Sequence, residues 1–433
     1  MYVKHLSLKN MRGLEEVDLT FKPGVNLLVG PNSVGKSTVL EALRVMLSAL
    51  TARLEGDYRT ADKFKDRDIR IDAGHLSSEL LLNFQGQDVR WDVQRYLASN
   101  KAEDTQTSDY GALNQAIKPL EIALFKQDVT KNYSISLPIT LYYNVHRAVK
   151  HADLAPDFST RKVRLSPISA LENALAPTGT DFEQIQKWFA YRSTWLKKSK
   201  NNTSDVSADK HLSAVIAAIE SFLPVLNGVW YDEKTRKLHT RKSGHDFELS
   251  ELSDGEQSLL ALVADISRRL AIANPALDNP LAGYAVVLVD EIDLHLHPAW
   301  QRQIVGLFEK TFPNTQFIFT THSPQILSHV KPDAIWLFQR NDKGEVEPYQ
   351  PDTSFGMDSS SILKLLFEVP EREASTDAQL QKLVKLVDSD ELEQAKKLIT
   401  VLKQTCGEID LIQRMSAVIW RKEVLAGKDA TDS

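Results

Sequence analysis

Gly30-Pro-Asn-Ser-Val-Gly-Lys-Ser-Thr38 lies between an apolar run, Val25-Asn-Leu-Leu-Val29, and a segment of helical periodicity, Val39-Leu-Glu-Ala-Leu-Arg-Val-Met-Leu47. The nine residues fit the pattern G-x-x-x-x-G-K-S/T, and a strand before and a helix after are the context that makes such a turn a phosphate-binding loop. Glycines at 30 and 35 let the chain turn tightly, so that successive N–H groups and the next helix N-terminus converge on an anion. Lys36 is placed to reach the β and γ phosphates, Ser37 to ligate Mg²⁺, and Thr38 to add a hydroxyl near the α phosphate; Asn32 and Gly35 complete the candidate nucleotide-binding residues. A turn that only reverses the chain has no use for the Lys-Ser-Thr ending, so the stretch predicts a nucleoside triphosphate site.

The chain of 433 residues, with 42% hydrophobic and 25% charged residues, has the composition of a globular protein of two or three subdomains. Met1-Tyr-Val-Lys-His-Leu-Ser-Leu-Lys-Asn10 has no long apolar core, and nowhere do about eighteen apolar residues run together, which predicts a soluble cytoplasmic protein without membrane contact. A single cysteine, Cys406, excludes an intramolecular disulfide and a cysteine-based zinc finger. The net charge of −6 argues against gross attraction to nucleic acid, so any DNA or RNA contact is expected to be local or made by a partner.

Residues 2–8 and 16–21 alternate apolar and polar, as two strands joined through Lys9-Asn-Met-Arg-Gly13. Arg12 in that turn is either a solvated turn residue or a contact to the base or phosphates. A second hairpin is expected over 78–97, followed by a polar, mobile stretch at 98–110, helical material at 111–127 and a strand at 138–145. Asn144, His146 and Gln85 are candidates for a residue that senses Mg²⁺ and the γ phosphate, and the sequence does not choose among them. Residues 180–200 predict a helix capped by Thr180 or Asp181, whose Trp188, Phe189, Tyr191 and Trp195 interleave with Arg192, Lys197, Lys198 and Lys200. That pattern suits a nucleic-acid platform or an amphipathic helix with a basic end. A helix at 208–223 and strands near 228–232, 236–241 and 246–249 follow.

Leu252-Ser-Asp-Gly-Glu256 precedes a long helical pattern; Ser253 suits an N-cap, and Gly255 allows close backbone approach to a ligand. Ala285-Val-Val-Leu-Val-Asp-Glu291 is a fully apolar strand ending in two carboxylates, which are costly to hold there without a cation. Asp290 suits Mg²⁺ coordination through water, and Glu291 suits polarising the attacking water. In Ile292-Asp-Leu-His-Leu-His-Pro298, His295 and His297 alternate like a metal pair, but Pro298 and the nucleotide context favour a loop at a subunit interface. Thr315-Gln-Phe-Ile-Phe-Thr-Thr321 is another buried strand, and His322 at its end is placed to bond a γ phosphate or orient water.

Walker A at 30–38, Leu-Ser-Asp-Gly-Glu at 252–256, Asp290-Glu291 and His322, in that order, resemble the ATP-binding-cassette ATPases that include structural-maintenance-of-chromosomes, RecF and overcoming-lysogenization-defect proteins. The wording Val-Asp-Glu-Ile-Asp-Leu-His-Leu-His-Pro and Phe-Thr-Thr-His-Ser-Pro-Gln looks most like standalone ATPases such as PtuA of the Septu anti-phage system and its retron-associated relatives. The resemblance covers nearly the whole chain, only loosely at about 98–250. It implies that Lys36, Ser37, Asp290, Glu291 and His322 serve one ATP, while Ser253, Gly255, Glu256 and Asp293 reach the ATP of another subunit, so that a homodimer or higher even oligomer is needed. The overcoming-lysogenization-defect proteins add a TOPRIM nuclease centre, whereas here one strand, 334–338, follows His322, and Asp388-Ser-Asp390 reads as a helix N-cap.

The expected fold is α/β: an ATPase head with a mixed central sheet, an antiparallel flanking sheet, a helical insertion and a C-terminal helical module. Its parts are an N-terminal lobe at 1–97, the insertion and return strands at 98–250, a C-terminal lobe at 251–345 and, at 346–433, a module with helices at about 376–388, 390–405 and 408–425 forming an antiparallel hairpin. By resemblance the expected function is the regulatory ATPase of an anti-phage system that directs a separate nuclease, plausibly an HNH protein of the PtuB kind. The alternatives are a DNA-end-binding repair ATPase and a nucleotide-gated scaffold with little turnover.

Overall fold

The structure, a computed structural model, describes residues 1–97, 106–130, 133–145, 166–177, 182–198, 209–367 and 373–429. It divides into two compact units, Met1–Ile362 and Leu363–Ser433.

The larger unit is built on a six-stranded sheet. Its order from edge to edge is Val346–Tyr349, Ile335–Arg340, Val25–Val29, Thr315–Thr321, Ala285–Val289 and Ile139–Tyr143. All neighbours are parallel except the Val346–Tyr349 edge, which makes the sheet mixed. The four strands at its centre and far edge are buried along their whole length, which is why they read as unbroken apolar runs rather than as alternation. A second sheet, entirely antiparallel, has the order Leu14–Thr20, Tyr2–Met11, His75–Phe84, Gln87–Tyr96, Gln106–Asp109.

The helix Lys36–Glu55 touches strands of both sheets, and from Leu40 onward nearly every residue is buried. A helix covered on all sides has no room for a polar stripe, which explains the sequence Leu-Glu-Ala-Leu-Arg-Val-Met-Leu. Gln316 joins the sheets a second time: its side-chain amide accepts from the Val3 N–H (2.7 Å) and donates to the Val3 carbonyl (2.9 Å), as a third strand would. On the other face of the central sheet, Phe308, Phe312, Phe317, Phe319 and Phe222 pack ring against ring, with centroids of Phe308 and Phe317 4.7 Å apart. The helix Asp254–Ala273 is buried along almost its whole length.

Several expectations need correcting. The polar stretch ending at 110 contributes the edge strand Gln106–Asp109; residues 98–105 lie outside the described ones. The region from 98 to 250 is not one insertion, because Ile139–Tyr143 is a strand of the central sheet, and a separate three-stranded sheet is formed by Leu226–Asp232, Lys237–Lys242 and His245–Glu248. Two strands rather than one follow His322, so the residues from 346 begin inside the central sheet.

Among the described residues of the smaller unit, the helices Ala374–Asp388, Leu392–Cys406 and Asp410–Asp429 each touch the other two around Leu380, Leu383, Val387, Ile399, Leu402, Ile412 and Ile419. Three mutually packed helices replace the expected hairpin. Asp390 does not cap the second of them: it sits at φ 56° and its carboxylate pairs with Lys422 at 2.6 Å, while Glu391 occupies the N-cap position.

Candidate nucleotide site

Phosphate-loop geometry follows from three backbone positions that ordinary residues avoid. Gly30 has φ +150°, and a Cβ there would stand 2.4 Å from the Phe338 carbonyl oxygen; Gly35 has φ +104°, and a Cβ would meet Leu14 at 2.6 Å. Ser33 takes φ 63°. The loop delivers Lys36 into the interior, where its ammonium donates to the carbonyls of Gly30 and Pro31 at 2.8 Å each. Burial pushes that ammonium down to about 8, against the pull of Asp290, Glu291 and Asp293. A cation so placed is short of counter-charge, which a polyphosphate would supply.

The cavity at the loop is lined by Gly13, Asn32, Ser33, Val34, Gly35, Lys36, Ser37, Thr38, Asp290, Glu291, His322 and Val346. The fold therefore brings the loop, the acidic pair and the histidine into one place. Ser37 donates to Asp290 Oδ1 at 3.2 Å, and the backbone N–H of Asp290 donates to the Tyr143 carbonyl at 2.8 Å. Thr320, fully buried on the next strand, contacts the pair twice and the residue after it once: its hydroxyl bonds Asp290 Oδ1 and accepts from the Glu291 N–H (2.6 Å), and its carbonyl accepts from the Ile292 N–H (3.0 Å). Glu291 itself sits at φ 49°. Burial, with Lys36 nearby as a second cause, holds the His322 imidazole below its ordinary range, so it is the neutral form that faces the cavity at neutral pH.

Behind the site, Tyr143 donates its hydroxyl to Asp265 at 2.9 Å, and Asp265 takes Arg268 (2.6 Å) and Arg269 (2.8 Å) from its own helix. Burial resists ionisation of Asp265, but the two guanidinium groups overcome it and hold the carboxyl well below the usual range. Arg269 also donates to the carbonyls of Ala170 and Glu172.

The Ser-Asp-Gly-Glu turn caps the helix Asp254–Ala273. Ser253 N–H and hydroxyl both donate to Glu256 Oε2, at 3.1 and 2.9 Å, while Lys242 pairs with Glu256 Oε1 at 2.7 Å. The close approach that Gly255 permits is made within the chain, since a Cβ there would lie 2.4 Å from the His295 carbonyl oxygen. Asp293, in the same loop, lies near enough to its own chain's site to act electrostatically on Lys36 and His322. His295 is exposed at φ 62°, and His297 caps the helix Pro298–Thr311 by accepting from the Ala299 N–H.

Arg12 is not among the cavity residues: its guanidinium binds Asp68 Oδ1 at 2.8 and 3.0 Å. Among the sensor candidates, Gln85 is exposed at φ 51° in a hairpin turn, Asn144 follows Tyr143 and donates to the Pro177 carbonyl, and His146 lies outside the described residues, as do Thr180, Asp181 and Lys200. In the helix Phe182–Lys198, Trp188 and Phe189 are core residues, Tyr191 is half-buried and Trp195 is exposed, while Arg192 pairs with the buried Asp209 and Lys197 with Glu233. Sequence reasoning missed Thr320, Tyr143, Gly13 and Val346. Only Thr320 left a trace, a polar residue inside an apolar strand.

Fold and site together define a P-loop ATPase of the ATP-binding-cassette type. Residues 25–328 match the AAA-domain family whose description names the AbiEii toxin of a Type IV TA system, and the chain belongs to that family. It is 30% identical to the "Retron Ec83 probable ATPase" of Escherichia coli over 94% of this chain and 84% of that protein, and 23% identical to the "Septu protein PtuA" of Bacillus thuringiensis over 85% of this chain and 84% of that protein. A structural-maintenance-of-chromosomes head, solved bound to the C-winged helix domain of ScpA, superposes with a TM-score of 0.47 at 16% identity, covering 81% of this chain and 98% of that one. No helix among the described residues is long and apolar enough to cross a membrane.

Proposed function

We propose that this chain is the regulatory ATPase of a bacterial anti-phage system, acting in the cytoplasm, closing in pairs around ATP and controlling a separate effector nuclease of the HNH kind. The observation that carries the ATPase reading is the convergence of Lys36, Ser37, Asp290, Glu291 and His322 on one cavity. The defence reading is supported by the retron and Septu names of two relatives that align over most of their length.

In this reading Lys36 neutralises the β and γ phosphates, and Gly35 with the first N–H groups of the Lys36–Glu55 helix fixes them. Ser37 and Asp290, already bonded to each other, would hold Mg²⁺, which when bound supplies charge neutralisation between the phosphates. Glu291 takes the proton of the attacking water, and neutral His322 holds that water or a γ-phosphate oxygen. Ser253 and Gly255 of a second copy close the site, so that binding brings the pair together and hydrolysis releases it.

The Glu291→Gln protein, which should arrest the ATP-closed state, tests this by purification from its host with mass and composition measured. Even-numbered assemblies carrying a stoichiometric nuclease are expected. Bare dimers on DNA would replace this reading with a DNA-end-binding ATPase, whose expected platform on Phe182–Lys198 has Trp188 and Phe189 committed to the core.

A further inference from the structure

The two acids that the proposed chemistry needs, Asp290 and Glu291, stand on consecutive residues at the end of the strand Ala285–Val289. Glu291 occupies the left-handed region at φ 49°, which is strained for a residue with a Cβ and persists only where the surroundings impose it. The Leu294 N–H bonds the Glu291 carbonyl from within the turn, and the neighbouring strand holds its amides. Thr320 accepts the Glu291 N–H at its hydroxyl and the Ile292 N–H at its carbonyl, so two successive amides of the turn are tied to one residue.

The hydroxyl also has a fixed polarity. A threonine oxygen that accepts the Glu291 amide has one proton left to give, and the neighbour within reach is Asp290 Oδ1, an acceptor. The chain of donation therefore runs from Glu291 N–H to Thr320 to Asp290, and Asp290 Oδ1 receives Ser37 as well. Thr320 is fully buried, so water cannot replace it.

We propose that Thr320 is a positioning residue for ATP hydrolysis, orienting the Asp290 carboxylate and the Glu291 main chain through one hydroxyl. This inference rests on the proposed roles of Asp290 and Glu291. Thr320→Val keeps the shape and removes both bonds; Thr320→Ser keeps both bonds and removes a methyl group. With Val, ATP affinity stays within about threefold while kcat falls about 30-fold or more at little-changed KM, and Ser stays within about threefold of the parent in kcat. Hydrogen exchange at the 290–292 amides, measured without nucleotide, accelerates in the Val protein and not in the Ser protein. The inference is overturned by a Val protein that turns over near the parental rate, or by Val and Ser proteins that lose affinity and turnover in parallel. If the Val protein does not fold, Thr320→Cys, which keeps the size with a weaker donor, must lie between Ser and the parent on one side and inactivity on the other. A parent protein without ATP turnover would instead refute the proposed roles of the acidic pair.

Discussion

Replacing Asp265 by Asn strips the charge from a carboxylate that holds two arginines and a tyrosine in the interior. The asparagine keeps the volume and one acceptor oxygen, so no cavity opens, but Arg268 and Arg269 are left as buried cations with a neutral partner. Removing one member of a buried ion pair typically costs about 3–5 kcal/mol, and the retained acceptor places the expected loss near the lower end, about 3 kcal/mol, or roughly two orders of magnitude in the unfolding constant. Tyr143→Phe, which leaves the Asp265 ion pairs intact, should cost only about 1 kcal/mol. The pH dependence has a definite sign. The folded state depresses the Asp265 pKa, so the stabilisation is present above the unfolded value of about 4 and is lost as the pH falls below it. The gap between parent and Asp265→Asn should therefore narrow on acidification. Urea unfolding followed by tryptophan fluorescence reads this, since all tryptophans but Trp420 lie in the larger unit. An Asn protein within about 1 kcal/mol of the parent at neutral pH, or a gap that widens in acid, would refute the account.

Gly255→Ala drives a Cβ into the His295 carbonyl and should cost about 1–3 kcal/mol, displacing the loop after Glu291, while Gly306→Ala, in an exposed helical position with nothing near its Cβ, should be neutral or slightly stabilising; thermal melting of both proteins checks the contrast. Lys242→Met removes the partner of a Glu256 carboxylate that is almost fully buried and should cost about 1 kcal/mol by the same measurement, most of it recovered when Glu256→Gln is added, because the amide still accepts from Ser253.

The phosphate loop, the acidic pair and His322 were legible because each stands at the end of an apolar run, where the chain has to leave the sheet. The mixed sheet was legible from the same runs. What escaped was long-range pairing. Thr320 reads as one more strand residue until Ala285–Val289 is laid beside Thr315–Thr321, and Asp265 reads as an exposed helical position until that helix is buried on every side. Gln106–Asp109 and Val346–Tyr349 are short edge strands whose polar residues carry no apolar period, so only their partners identify them. Arg12 offered two readings, and the partner that occupies it, Asp68, lies 56 residues away. Gly255 is legible as a position of close approach, but the backbone of His295 that it admits within the chain is not.

The burial of the Lys36–Glu55 helix between two sheets also bears on how the protein matures. A phosphate loop carried on a surface helix could form early and bind nucleotide in a half-built chain. Here the helix is enclosed only when residues as distant as Tyr2, Ile139 and Thr315 have come together around it, so a chain still missing its C-terminal strands has no surface on which to hold the loop in shape. The shape of the loop is thus a property of the finished unit, set by segments from both of its ends.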